Sequence, residues 1–595
     1  MQNKYVLAVH AGHNASAALM RGGEIIAAIQ EERFCRKKNY VGYPKEAIDY
    51  CMGHAEIAGK DLHRVAFTTT NLQGLFIKAK TSTQFSIKDY MQYYGERYFQ
   101  RKMHGEDCSD YYKWLNEDPK FNEDAQYYDF SYLTEEVLND AQLDIELFRK
   151  EQARTLAKQL GLPAEKIEFL DHHTCHAYYA YFASPYRKDD CIVVTLDGWG
   201  DGKNQTVWKV SNDQFELLAE SGQNDMGRVY KMATLLLGMR PDEHEFKVMG
   251  LAPYAKDSYI QKSYKVIEDV SNVEGMKIVA KNRPGDLYGY LKESWADHRF
   301  DNIAGAVQYY VENLATRLIK NIAKETGVSR FVLGGGISMN VKMNKAISEL
   351  DCVTKLFVCG SGGDESLSIG GCYVLNDDST TSKPVPHLHL GYDITVEMQR
   401  FDWDKNCIGL KVEKGVKHAD IAKLLVKGDI ISVLRGRAEF GARALGNRSI
   451  LADPSCRASV IKINEAIKNR DFWMPFALSI LEDHHKEYLY NPKDLKAPFM
   501  STSFDTLEER YHQIEAGTHP YDKTVRPQLV SKETCPQYYS LISEFYKLTG
   551  IPAVLNTSFN LHGEPIVNNI SDAIRTFRNS GLDHLLINDE ILISK

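Results

Sequence analysis

No two cysteines in this chain are spaced as CxxC, although eleven cysteines occur among its 595 residues. An odd number of scattered thiols excludes a disulfide framework and a zinc ribbon, and it points to reduced cysteines in a cytoplasm-like compartment. No apolar run reaches the length of a membrane span, so no membrane partner is expected. The opening residues, Met1-Gln2-Asn3-Lys4, carry no leader pattern and run straight into a short strand, which fits a cytoplasmic location. A basic excess is missing too. The net charge of −8 at pH 7 leaves no field to hold nucleic acid. What is there is an ordinary globular composition, 43% hydrophobic and 26% charged, at a length that calls for two or more domains.

Hydrophobic patterning divides the chain. Tyr5 to Val9 reads as a strand, Ala15 to Met20 as a second, and after the turn Gly22-Gly23 the run Glu24 to Gln30 returns. A polar loop, Ala11-Gly12-His13-Asn14, follows the first strand. The plan recurs at 191–217. Cys191 to Leu196 is an apolar strand closing at Asp197-Gly198, and Thr206 to Val210 and Phe215 to Leu218 flank the polar turn Ser211-Asn212-Asp213. A hairpin unit used twice predicts an α/β fold with a duplicated N-terminal domain, built as actin- and sugar-kinase-type ATPases are. Residues 71–150, rich in tyrosine and charge, are expected to be a largely helical insertion.

Asp171-His172-His173-Thr174-Cys175-His176 lies on a helix-like segment. The i,i+4 spacing puts His172 and His176 on one helix face. Two imidazoles from a helix and the strand-end carboxylate of Asp197 can converge on one divalent metal. Further on, Arg330 to Leu333 is a strand entering Gly334-Gly335-Gly336, with Met339-Asn340 opening a helix. Such a turn lets backbone N–H groups approach phosphate or ribose. Lys355 to Val358 is another strand, and Asp364 follows it at the end where open α/β sheets gather ligands.

A polar, proline-bearing stretch at 376–390 marks a boundary, giving domains of 1–380 and 381–595. In the second, Asp429 to Leu434 reads as a strand running into a glycine-rich segment that carries Arg435, Arg437, Arg443 and Arg448. Gly441 and Gly446 have P-loop spacing, but Asn447 stands where the phosphate lysine belongs, which excludes a P-loop. The arginines suit a bidentate anion site instead. Lys468, Arg470, Arg526 and the strand-end run Asn556-Thr557-Ser558-Phe559-Asn560 extend that polar chemistry.

Taken together, His13 through Leu19, Asp171 through Ala177, Lys247-Val248-Met249-Gly250-Leu251-Ala252-Pro253-Tyr254, the Gly334 loop through Asn340, Gly436 through Ser449, Pro475-Phe476-Ala477 and Asn556 through Asn560 resemble the O-carbamoyltransferases. That family includes the nodulation, aminoglycoside and cephalosporin carbamoyltransferases, and the likeness spans all but the 71–150 region. It implies an N-terminal domain similar to the tRNA threonylcarbamoyladenosine transferase and an α+β C-terminal domain similar to the carbamoyl-adenylate-forming YrdC type. By the resemblance, carbamoyl phosphate and ATP (with Mg) give carbamoyl-adenylate and pyrophosphate in the second domain. The first then moves the carbamoyl group to a hydroxyl of a small natural product and releases AMP. His172, His176, Asp197 and Asp364 are the implied ligands of Fe(II) or another divalent ion, and His13 the implied general base. Lys247, Gly335, Gly336 and Asn340 are the implied nucleotide contacts of the transfer domain. Arg443, Lys468, Arg526 and Ser558 would hold carbamoyl phosphate and ATP, with Arg437, Asn447, Arg448 and Arg470 in support. A homodimer is expected from the family alone.

Three positions depart from the family pattern. Asn14 replaces an aspartate that would orient His13, Met474 replaces an arginine ahead of Pro-Phe-Ala, and Glu365-Ser366 follows Asp364 where small residues are usual. Two other activities are compatible with parts of the sequence. A sugar-kinase-like phosphotransferase would release ADP and leave the second domain's arginines unused. tRNA threonylcarbamoylation would need a basic stripe that the composition lacks.

Overall fold

The structure, a computed structural model, describes residues 4–83, 85–121, 127–468 and 470–595. It is a mixed α/β protein of two compact units. One comprises Met1–Glu31, Asn39–Leu356 and Gly362–Pro384, and the other Glu32–Lys38, Phe357–Ser361 and Val385–Lys595. The main division thus falls a few residues after the expected boundary, and two short segments join the second unit. Arg36 accounts for the first of these: it donates to the carbonyls of Ile566 and Pro565 at 2.7 and 2.8 Å.

The first unit contains two five-stranded sheets. Strands β1 (Tyr5–His10), β2 (Ser16–Arg21), β3 (Glu24–Gln30), β4 (Leu62–Phe67) and β5 (Ile167–Phe169) take the order β3-β2-β1-β4-β5. In the second sheet β6 (Cys191–Gly200), β7 (Lys203–Ser211), β8 (Gln214–Ser221), β9 (Arg330–Gly334) and β10 (Lys355–Val358) take the order β8-β7-β6-β9-β10. The two orders are the same. In each sheet an antiparallel three-strand meander is continued by a parallel strand on the far side of its first member. Even the turns match. Gly22-Gly23 and Asn212-Asp213 are both two-residue hairpin loops with positive φ at both positions, the geometry that suits the natural twist of a hairpin. β1 and β6 are buried along most of their length, as expected of strands covered on both faces.

Around these sheets lie α1 (Lys45–His54), α2 (Gly74–Thr83), α3 (Ile87–Met91), α4 (Ala141–Leu160), α5 (His172–Ala183), α6 (Met226–Leu236), α7 (Glu245–Leu251), α8 (Phe300–Thr326), α9 (Val341–Ser348) and α10 (Leu367–Leu375). The 71–150 region is helical wherever it is ordered into elements, and aromatic contacts such as Tyr93 on Tyr98 and Trp114 on Phe121 pack it.

The second unit is built on an eight-stranded sheet. Its strands are β11 (Lys411–Lys414), β12 (Ile431–Leu434), β13 (Arg448–Ala452), β14 (Ala477–Leu481), β15 (Pro527–Val530), β16 (Ala553–Ser558), β17 (His584–Ile587) and β18 (Ile591–Ser594). Their order is β11-β18-β17-β12-β13-β16-β14-β15, mostly antiparallel, as an α+β domain requires. Helix α11 (Ile570–Arg578) shows how the core is closed. Ile570, Ala573, Ile574 and Phe577 recur at helical spacing and are buried, while Asn569 caps the first turn by accepting the Asp572 N–H at 2.8 Å. No cysteine forms a disulfide. Among the described residues no helix is long and apolar enough to cross a membrane.

Candidate metal centre and cationic pocket

Helix α5 starts where the sequence places it because Asp171 caps it, accepting the Thr174 N–H at 2.8 Å. Asp201, in the two-residue turn between β6 and β7, fixes the same end. It accepts the His172 N–H at 2.9 Å and also holds Thr69 Oγ1 at 2.8 Å and the Asn71 N–H at 2.9 Å. His172 and His176 therefore leave one helix face side by side, with ring centroids 4.7 Å apart.

Asp197, near the end of β6, meets both rings. Its Oδ2 lies 2.8 Å from His172 Nε2 and 3.2 Å from His176 Nε2. Asp364, just before α10, brings Oδ1 to 3.8 and 3.7 Å from the same two nitrogens. All four ligand atoms fall within 4.8 Å of one another. An ion with bonds of about 2.1 Å has neighbouring ligand atoms about 3.0–3.4 Å apart, so the four are set at the edges of one coordination shell.

The electrostatics agree. Burial alone would lower both histidines, but hydrogen bonds and charge from Asp197 and Asp364 raise them, His176 to about 9. Burial would likewise raise both aspartates, yet the imidazoles hold them below the ordinary carboxylate range. Protons on the rings play the part a cation would play. Two imidazoles and two carboxylates fit a divalent ion such as Fe(II), Mn(II) or zinc. His173 faces away and bonds Thr195 Oγ1 at 2.7 Å through Nδ1.

The glycine loop serves this centre directly. A Cβ on Gly335, whose φ is +85°, would lie 2.3 Å from the Leu196 carbonyl, and one on Gly336 would lie 2.9 Å from Asp197 Oδ1. The loop thus clasps the strand end that presents Asp197. Asn340 is the N-cap of α9, accepting the Met343 N–H at 3.0 Å and exchanging hydrogen bonds with Gln308. Its amide thus serves that cap and the contact with Gln308. Lys247 lies on α7.

His13 is half-buried in a strained loop beside Asn14, whose φ is +59°. Asn14 donates to Glu365 Oε2 at 3.4 Å, and among the described residues no carboxylate pairs with His13. A residue that the sequence reading passed over lies at the end of β1. His10 is buried, with Nδ1 3.3 Å from Thr68 Oγ1 and no hydrogen-bond partner for Nε2 among the described residues. Burial pushes it down to about 3, against the pull of Asp364, and both metal-site histidines act on its charge. Only its place as the last residue of an apolar strand marked it.

In the second unit Lys468, Arg470, Arg443 and Arg526 come together. Lys468 Nζ bonds Asn560 Oδ1 at 2.8 Å and Ser558 Oγ at 3.2 Å. Arg470 bonds Thr557 Oγ1 at 3.0 Å and lies over the Phe476 ring at 4.7 Å. Arg526 makes no hydrogen bond or ion pair among the described residues, and its Nε is buried. Burial and then mutual repulsion lower all three: Lys468 and Arg526 well below their usual values, Arg470 to about 10. No carboxylate pairs with any of the three among the described residues. Thr557 and Asn560, in the motif noted above, complete the pocket's polar wall.

Three other predicted contacts are placed differently. Arg448 is fully buried and gives its guanidinium to the carbonyls of Arg435, Asn447, Tyr392, Gly436 and Asn568, at 2.6–3.2 Å. Arg437 donates to the carbonyls of Leu390 and Gly391, and Asn447 Nδ2 to that of Arg437 at 2.8 Å. All three tie backbone loops together, and the buried guanidinium of Arg448 is not available to an anion, a distinction that the sequence cannot draw among neighbouring arginines.

Comparison with known proteins is informative at this point. Residues 6–373 match the family described as carbamoyltransferase N-terminus and residues 422–595 the one described as carbamoyltransferase C-terminus. An uncharacterised protein of Methanocaldococcus jannaschii is 30% identical over 99% of both chains. The nodulation protein NolNO of Sinorhizobium fredii is 27% identical over 98% of this chain and 79% of its own. A 3'-hydroxymethylcephem-O-carbamoyltransferase of Amycolatopsis lactamdurans is 27% identical over 44% of this chain and 48% of its own.

Proposed function

The chain belongs to the carbamoyltransferase family, and from that premise we propose that it is an ATP-dependent O-carbamoyltransferase acting on a small hydroxylated acceptor. In this reading the second unit is an adenylate-forming domain of the YrdC type. It joins the carbamoyl group of carbamoyl phosphate to the AMP part of ATP. Pyrophosphate leaves from ATP and, with one water, phosphate from carbamoyl phosphate. The first unit is a duplicated domain of the actin and sugar-kinase type. There the acceptor hydroxyl attacks the carbamoyl carbon, and AMP departs with the bond it held.

The observation that carries the reading is the group Lys468, Arg470 and Arg526, one buried and two half-buried cations without a carboxylate partner among the described residues. Such charges are costly in an empty pocket and favourable once polyphosphate arrives, and a preorganised pocket is what charge developing during adenylation calls for. Arg443 adds to the same field. In the first unit His172, His176, Asp197 and Asp364 would hold the divalent ion, which when bound supplies Lewis-acid stabilisation of phosphate charge. His13 stands as the base for the acceptor hydroxyl. Asp201 and the Gly335 loop keep the helix and strand end that carry the ligands in register.

The test is direct. Purified protein with carbamoyl phosphate, ATP and a panel of alcohols should give AMP, pyrophosphate and a product heavier by one carbamoyl group, and His13→Ala should still form pyrophosphate but not the carbamoylated product. Release of ADP would replace this reading with a phosphotransferase.

A further inference from the structure

Lys80, Tyr90, Lys231 and Asp242 form a polar cluster that neither the metal centre nor the cationic pocket uses. Lys80 and Tyr90 come from α2 and α3, in the region with no recognisable motif. Lys231 comes from α6, and Asp242 from the turn ahead of α7. Asp242 Oδ2 accepts from Tyr90 OH at 2.6 Å, from Lys231 Nζ at 2.9 Å and from Lys80 Nζ at 3.4 Å, while its Oδ1 takes Lys231 at 2.8 Å. Lys80 reaches nothing closer than Tyr90 OH at 3.3 Å.

Two features mark the cluster as more than a fold-holding network. Two ammonium groups share one carboxylate, which leaves a positive charge in excess. Nearby Glu245 does not cancel it in full, because burial pushes its carboxyl up to about 7, and Arg240 is already paired with Glu243 at 3.0 Å. The cluster is also recessed without being sealed. The side chains of Lys80, Lys231 and Asp242 keep 26%, 24% and 28% of their surface. Asp242 holds a left-handed φ of +63°, a strain of the sort that collects at functional sites. After its two lysines, the charge of His13 also helps hold the Asp242 carboxyl down, so the cluster lies within electrostatic reach of the proposed base.

We propose that this cluster is the subsite that anchors the acceptor, and that the acceptor is a hydroxylated compound carrying an acidic group, which Lys80 holds. The inference rests on the carbamoyl-transfer reading. Asp242 accepts hydroxyl protons of the acceptor, and Lys80, whose own contacts are long, has donors to spare for a carboxylate, phosphate or sulfate. A neutral polyol would leave the excess charge uncompensated.

Binding to the full-length protein, followed by saturation-transfer NMR and calorimetry, tests it with matched probes: gluconate against sorbitol, and glucose 6-phosphate against glucose. Each acid-bearing probe should bind at least about tenfold more tightly than its neutral twin, the size of one charge-assisted contact. Lys80→Met should erase that difference and Lys80→Arg should restore part of it, with Lys80→Gln in reserve if the methionine variant fails to fold. Equal binding of the twins, binding of none of them, or an acid preference that survives Lys80→Met would overturn the proposal. Failure of ATP and carbamoyl phosphate to yield pyrophosphate would instead overturn the carbamoyl-transfer reading, and the binding comparison would stand without it.

Discussion

His172 and Asp197, separated by 25 positions in the chain, meet with Nε2 2.8 Å from Oδ2. The meeting depends on a helix cap at one end and a strand end at the other. The pair should therefore be dispensable for folding and indispensable for metal. His172→Ala and Asp197→Asn are each expected to lose the bound divalent ion, measured by elemental analysis, and to slow carbamoyl transfer by about 100-fold or more. Pyrophosphate formation in the second unit should persist. Full metal content in either variant would remove the centre from the mechanism.

Arg448 is fully buried and Arg526 half-buried in the second unit, and their variants should behave in opposite ways. Arg526 has no hydrogen-bond or ion-pair partner among the described residues, so its charge costs the empty fold stability. Arg526→Gln should raise the melting temperature by about 1–4 °C and cut pyrophosphate formation by about 100-fold. Arg448 satisfies five carbonyls. Arg448→Met should cost on the order of 3 kcal/mol or more, because those carbonyls are then left buried and unpaired. Melting curves decide. A destabilised Arg526→Gln would mean that this guanidinium braces the fold.

A pH effect follows from Glu31. Helix α1 begins at Pro44, which offers no side-chain cap, and Glu31 supplies one from a distance by accepting the N–H groups of Glu46 and Ala47 at 3.2 and 2.8 Å. Burial outweighs those bonds and raises its carboxyl from 4.5 to about 7. Between these two values the folded chain holds a proton that the unfolded chain has released, so the folded state loses stability as pH rises across that window. The loss amounts to about 3 kcal/mol by pH 7 and no more above it. Glu31→Gln should lack this component, seen as a flatter dependence of denaturant midpoint on pH between 4.5 and 7. Parallel slopes for the two proteins would refute it.

Much of this was readable in advance, for identifiable reasons. Asp197 could be placed because an apolar run breaks off at it, and His172 with His176 because the helical period is fixed. Both hairpin turns carried their own chemistry. His10 was hidden by its strand, where a single polar residue at the end of an apolar run has no pattern to set it apart. Arg448 looked like Arg443 because burial is a property of the fold, not of the local sequence. Asn340 announced a helix start, and it caps that helix. The partnership of Lys80 with Asp242 was beyond reach, since the two stand 162 positions apart with no repeat or motif to link them.

Two glycines in one short stretch separate clash from strain. A Cβ on Gly200 would fall 2.3 Å from the His172 ring, whereas one on Gly202 would meet nothing within 4 Å, although its φ of +82° is unfavourable for any other residue. Gly202→Ala should thus lower stability by about 1–2 kcal/mol, the usual charge for a left-handed backbone, and keep its metal. Gly200→Ala must push the imidazole aside. A displacement of even about 1 Å at a positioned ligand is enough to cost 100-fold in function, so this variant should lose metal and transfer activity with every ligand still present in its sequence. Metal content measured on both proteins tells the cases apart. If Gly200→Ala binds the ion as wild type does, then the close approach of β6 to α5 is not what aims His172 at the site.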